Sequence, residues 1–231
     1  MGSDKKLVHT WYNHRMRNPN AQEVTTVLSI LQKTYLTHPM HEAFKHSSFQ
    51  MLVAVVLSQR ATDAMTIPVA KALFAQAGTP KKILHLPLKK LETILRPIGF
   101  FHAKAAALKK LCHVIVTNFH GKVPQTEVEL LSLPQVGRKT ANIMLTLFFK
   151  TPQIAVDVHV HRISHRLGWT RTKTTDETEV ALTKLIPKNL IYDVNRVFVR
   201  HGQEICKPVS PKCSICPIHI YCSKVGVKTS R

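Results

Sequence analysis

Apolar residues recur along this chain at helical rather than strand spacing. Over residues 21–35, Val24, Val27, Leu28, Leu31 and Tyr35 share one face of a 3.6-residue repeat. His38-Pro39 then stops the pattern. Ser47 followed by Gln50 has the form of a capping box. It leads into residues 51–57, apolar on nearly all sides, which predicts a buried helix. A polar group, residues 58–63, comes next, where Thr62 or Asp63 can cap a further helix. Thr79-Pro80 marks another start, repeated in weaker form at Leu86-Pro87. Leu88, Leu91, Ile94 and Leu95 form one face before residues 96–101 break the repeat. Residues 104–116 are amphipathic again, with Cys112 facing inward as a small hydrophobe. Thr126 with Glu129, and Asp176 with Glu179, form two more capping pairs, the second opening a helix through Ile186. Residues 192–201 close the pattern as a helix. No run alternates with period two, so the expected class is all-α with short connections.

One stretch, residues 131–157, combines a short helix ending at Pro134, a tight Gln135-Val136-Gly137 connection and a helix opening at Arg138. Gly137 has no Cβ, so a phosphate can approach the backbone N–H groups at the start of the second helix. Such contacts hold a nucleic-acid backbone without reading its sequence. Lys139 lies in the first turn of that helix, and Asp157 follows eighteen residues later. A lysine attacks only as the neutral amine. The positive end of the helix, the adjacent Arg138 and partial desolvation all favour that form. Asp157 can also serve as a helix N-cap.

Charge supplies the partner. Lys and Arg number 33 against 13 Asp and Glu, a formal net charge of +20. Enzymes of small metabolites balance the two signs more closely, and self-repulsion of this size is relieved by a polyanion. Nucleic acid leads over an anionic membrane surface, since no strongly basic amphipathic helix stands out. Residues 1–20 carry Lys5, Lys6, Arg15 and Arg17 against Asp4 alone, a solvated tail or a basic arm. The chain is expected to be soluble: its longest apolar run is too short to span a bilayer, and its beginning lacks a secretory apolar region. Two adjacent aromatics, Phe100 and Phe101, follow Gly99. In a basic protein such residues can wedge or stack against bases, although aromatics more often fill a core.

Four of five cysteines crowd the last 26 residues as Cys206, Cys213, Cys216 and Cys222, spaced C-x6-C-x2-C-x5-C. That spacing suits a tetrahedral sulfur site, either zinc or iron–sulfur.

The run from Leu133 through Gln135, Gly137, Lys139 and Asn142, with Val156-Asp157 downstream, resembles the endonuclease III family of helix-hairpin-helix DNA glycosylases. Leu57-Ser58, Ala61-Thr62-Asp63, Ile98-Gly99 and Val158-His159 keep the family's order, and the likeness extends from about residue 21 to the last cysteine. The family usually has glycine where this chain has Gln135. The resemblance implies a two-domain all-α fold. Residues 42–151 would form a six-helix domain with the hairpin. Residues 1–41 plus 152–231 would form a discontinuous domain with a cluster loop at 206–222. It implies a bifunctional glycosylase and apurinic/apyrimidinic lyase that removes oxidised pyrimidines from duplex DNA, with Lys139 as nucleophile and Asp157 assisting. It also implies a [4Fe–4S] cluster on the four cysteines. DNA contacts are expected from Arg60, Phe100, Gln135, Val136, Gly137, Arg138, His159, Lys207 and Lys212. Arg60 and Phe100 match positions that fill the gap left by a flipped base and wedge the opposite strand, where well-known members carry Gln and Leu. The expected partner is double-stranded DNA with damaged bases or abasic sites. The expected setting is a monomer in a bacterial or archaeal cytoplasm. Two other readings stand beside this one: a glycosylase for thymine or uracil opposite guanine, and a non-catalytic DNA-binding iron–sulfur protein.

Overall fold

A computed structural model describes residues 19–231. The basic segment carrying Lys5, Lys6, Arg15 and Arg17 lies outside the described residues. In chain order the helices are α1 (Ala21–Thr34), α2 (Pro39–Phe44), α3 (Ser48–Leu57), α4 (Asp63–Gln76), α5 (Pro80–His85), α6 (Leu88–Leu95), α7 (Phe101–Asn118), α8 (Glu127–Leu131), α9 (Arg138–Phe148), α10 (Val158–Leu167), α11 (Thr175–Leu185) and α12 (Ile191–Glu204). No strand occurs among the described residues. Nor is any helix among them long and apolar enough to cross a membrane.

The chain divides into two compact units. One spans Thr37–Ala155; the other joins the described residues up to Leu36 to Val156–Arg231. The first holds eight helical segments among the described residues. Pro39 and Pro80 at first helical positions, and Pro87 just before one, restart the chain as short helices that the apolar repeat alone does not separate.

In the first unit, α3 is the centre. Phe49 and every residue from Met51 to Leu57 are buried. Ser47 caps the helix by accepting from the Gln50 N–H at 3.3 Å, as its sequence predicts. A helix that is apolar on all sides needs neighbours on all sides. Helices α2, α4 and α9 pack against α3, with Met40, Phe44, Leu73, Met144 and Leu145 in the same apolar cluster, which Leu91 and Leu95 of α6 and Leu108 and Leu111 of α7 extend. Thr79 and Thr126 accept from the N–H groups of Lys82 and Glu129, and the Thr126 hydroxyl also donates to the Glu129 carboxylate. Cys112 is fully buried, and burial pushes its thiol up to about 12, which keeps it inert.

The second unit packs α1 and α10 against α12. Val24, Val27, Leu28 and Leu31 are buried with Val160, Ile163, Val194, Val197 and Phe198. Polar ties flank this core: Gln32 donates to Asp193 at 2.7 Å, and the Arg196 guanidinium donates to the Tyr35 carbonyl. Helix α11 is capped by Thr174, which accepts from the Glu177 N–H at 3.2 Å, while Glu177 accepts from the Lys173 N–H at 2.8 Å. The expected Asp176–Glu179 pair therefore lies two residues inside the helix. An earlier Thr-x-x-Glu sequence competes for the cap and wins.

Candidate active site and nucleic-acid interface

Helix α8, its following turn and α9 form the expected hairpin. The Val136 N–H donates to the Leu133 carbonyl at 3.1 Å, which closes the turn, and the buried Val136 side chain anchors it in the core. Gly137 is the N-cap of α9. A Cβ built there would meet nothing within 4 Å, so the space in front of the first α9 amides is open. Gln135, Gly137, Arg138 and Lys139 are all exposed.

Gln135 sits at φ 66°, in the left-handed region. This explains why glycine is the usual residue here: a side chain costs about 1–2 kcal/mol in that conformation. The Gln135 carbonyl accepts from Gln59 Nε2 at 3.0 Å.

Arg60 and Phe100 stand together. The Arg60 guanidinium carbon lies 5.6 Å from the Phe100 ring centroid, within the range of a cation–π contact. Both residues are exposed, Phe100 by 63%, and both are left-handed at φ 58° and 60°. Phe101, by contrast, turns inward and packs against the core. An exposed aromatic beside an arginine, each on a strained turn, has the character of a surface kept for a ligand.

Helix α9 also holds the chain that leads away from it. Asn142 Nδ2 donates to the Ile154 carbonyl at 3.2 Å, and Thr146 Oγ1 donates to the Gln153 carbonyl at 2.6 Å. In the other unit, Asp157 is the N-cap of α10, its Oδ1 accepting from the His159 and Val160 N–H groups at 2.9 Å each. These bonds fix the position of the carboxylate. His159 is half-buried, with Nδ1 3.1 Å from an Arg162 guanidinium nitrogen.

Cys206, Cys213, Cys216 and Cys222 line one cavity and form no disulfide. Arg166, only 9% exposed, donates to Cys206 Sγ at 3.3 Å and to the carbonyls of Lys207 and Pro208 at 2.7 Å. Arg162 donates from Nε and a terminal nitrogen to the Cys206 carbonyl at 3.1 and 2.9 Å. The Lys224 N–H donates to Cys222 Sγ at 3.4 Å, and His201 Nε2 lies 3.6 Å from Cys216 Sγ. Burial pushes the Cys216 thiol up to about 11 and raises Cys222 as well. Four thiolates in such a place call for a cation to offset their charge. Donors aimed at the sulfurs fit a thiolate-bound group. Among the described residues, no three His, Cys, Asp or Glu side chains converge closely enough to hold one metal ion. Lys207 is exposed and Lys212 half-buried on the same loop.

The sequence reading missed Gln59, Lys104, Arg162, Arg166 and His201. None belongs to a recognisable local pattern, because each acts on a residue distant in sequence.

Residues 53–188, more than half of the chain, match the model of the HhH-GPD superfamily of base excision DNA repair proteins. Endonuclease III of Thermotoga maritima is 42% identical over 174 residues, 75% of this chain and 82% of that protein. Endonuclease III of Rickettsia conorii is 38% identical over 202 residues, 87% of this chain and 96% of that protein. Among solved structures, a non-covalent Endonuclease III–DNA complex superposes with a TM-score of 0.80 at 36% identity, covering 88% of this chain and 95% of that one. A thermostable thymine-DNA glycosylase superposes at 0.77 with 24% identity, a likeness of fold alone. With the hairpin, the capped aspartate and the four-cysteine loop all in place, the chain belongs to the endonuclease III family within the HhH-GPD superfamily of base excision DNA repair proteins.

Proposed function

We propose that this protein is a bifunctional DNA glycosylase and apurinic/apyrimidinic lyase acting on oxidised pyrimidines in duplex DNA. The observation that carries the reading is Lys139, exposed in the first turn of α9 directly behind the open N-cap of Gly137. The amides at that helix start hold a backbone phosphate, and the +20 charge draws the duplex in. Val136 sets the turn, while Gln135 and Arg138 flank the phosphate. Arg60 and Phe100 enter the stack where the damaged nucleotide leaves it. DNA laid over α9 excludes water from Lys139.

The neutral Lys139 amine attacks the sugar C1′, and the bond to the base breaks with its electron pair going to the base, which takes up a proton. Opening of the sugar ring gives a protonated Schiff base. Loss of a C2′ proton then expels the 3′ phosphate by β-elimination, and water releases Lys139. Asp157, held in place as the N-cap of α10, stabilises developing positive charge on the sugar and assists proton transfer. His159, Lys207 and Lys212 add contacts to the DNA. Cys206, Cys213, Cys216 and Cys222 hold a [4Fe–4S] cluster that ties the C-terminal loop together, and Arg162 and Arg166 clamp the loop around it.

Borohydride trapping on DNA with an abasic site tests the chemistry. Wild-type protein should form a covalent adduct, and Lys139→Ala should not. No adduct with wild type would sink the Schiff-base route and leave a binding protein. An adduct that survives Lys139→Ala would move the nucleophile elsewhere.

A further inference from the structure

Five exposed non-glycine residues of one unit sit at left-handed φ, and three of them, Arg60, Phe100 and Gln135, belong to the site described above. These three are far apart in sequence. Two side chains join them. Lys104 lies in the first turn of α7, its own N–H donating to the Phe100 carbonyl at 2.9 Å. Its Nζ reaches back to the carbonyls of Leu57 at 2.5 Å and Gln59 at 2.8 Å, beyond the end of α3. Gln59 in turn donates from Nε2 to the Gln135 carbonyl at 3.0 Å. The Arg60 guanidinium rests over Phe100. Lys104 is half-buried, and burial lowers its pKa. A desolvated lysine with two carbonyl acceptors is a clamp rather than a surface charge.

We infer that Lys104 and Gln59 are positioning residues that lock the Arg60–Phe100 pair and the Gln135 turn into one rigid surface for duplex DNA. This rests on the reading of the chain as a base-excising enzyme. Lys104 touches neither substrate nor reacting atom. It fixes the loop that presents Arg60 and the helix start that presents Phe100, and Gln59 passes that register to the turn just before Gly137. Holding three strained turns in advance removes an ordering cost from DNA binding and base extrusion. The benefit arises only where a base must be taken out of a paired stack. A single-stranded abasic site has no base to extrude.

The test compares two substrates under single-turnover conditions. On a duplex holding one oxidised pyrimidine, Lys104→Met should slow base removal about 10- to 100-fold. Gln59→Ala should slow it in the same direction. The double variant should be little worse than Lys104→Met, since the two act in one chain of bonds. Borohydride trapping of both variants on a single-stranded abasic oligonucleotide should stay within about twofold of wild type, because the chemistry at Lys139 is untouched. A parallel loss on both substrates would mean a merely structural role and overturn the inference. So would unchanged rates on the duplex, or fully additive losses in the double variant. Failure of wild type to trap would instead strike at the lyase reading itself.

Discussion

Asn142, wholly buried in α9, donates its side-chain amide to the Ile154 carbonyl at 3.2 Å. The helix that opens with Lys139 thereby holds the chain segment that ends three residues before Asp157. Thr146, one turn further along the same face, repeats the grip on Gln153. A buried carbonyl left without its donor costs about 1–3 kcal/mol. Asn142→Ala should therefore lower stability by roughly that amount in urea unfolding. It should also slow strand cleavage at saturating DNA, because the segment leading to Asp157 loses its register. Cleavage unchanged at saturation would show that this tie does not serve the chemistry.

Gln135 gives a prediction of opposite sign. Its left-handed backbone is strained for any residue with a Cβ, while the bond it receives from Gln59 goes to its carbonyl and survives substitution. Gln135→Gly should stabilise the protein by about 1 kcal/mol, the relief of strain exceeding the added flexibility of the unfolded chain. Denaturant midpoints measure it directly. A loss of stability would mean that the Gln135 side chain contributes more than its backbone costs.

These two residues show where the sequence was readable. The N-caps at Ser47, Thr79 and Thr126, the greasy α3 and the opening of α9 depend on neighbours within four residues, and the four cysteines fall within 17, so local spacing reveals them. Left-handed turns at Arg60 and Phe100 carry no local mark, since neither is Gly, Asn or Asp. The bonds of Lys104, Gln59 and Asn142 reach 47, 76 and 12 residues along the chain. At α11 the local rule itself was ambiguous: two Thr/Asp-x-x-Glu sequences overlap, and the cap falls on Thr174, where Glu177 closes the box on the Lys173 N–H. The Asp157 cap, in contrast, was legible as a possibility and is present.

The C-terminal loop makes a prediction about metal content and charge together. Freshly purified protein should hold iron and sulfide in near-equal amounts, and Cys216→Ser should lose both. Stoichiometric zinc would refute the cluster. Lys207 and Lys212 belong to this loop, so the double variant Lys207→Ala/Lys212→Ala should keep its iron yet bind DNA with a weaker salt dependence. The slope of log affinity against log salt should fall by about 1.8, two phosphate contacts' worth. An unchanged slope would remove both lysines from the DNA interface.

His165 contributes to the pH dependence, alongside His201, whose pKa burial lowers to about 4. Burial holds the His165 pKa below the usual 6.5, and the neighbouring His161 ring, 4.4 Å away centroid to centroid, pushes it the same way. Nε2 also accepts from the Thr172 N–H at 3.2 Å, a bond that requires the neutral ring. The folded state thus resists a proton that the unfolded chain takes up. Below about pH 6.5 the unfolded state binds more protons, so stability falls as pH falls. Above that value both states hold the ring neutral and the slope disappears. The urea midpoint of the wild type should drop between pH 7.5 and pH 5.5. In His165→Gln, which keeps a polar acceptor but cannot titrate there, the drop should be smaller. Equal drops in the two proteins would assign the acid sensitivity to another group.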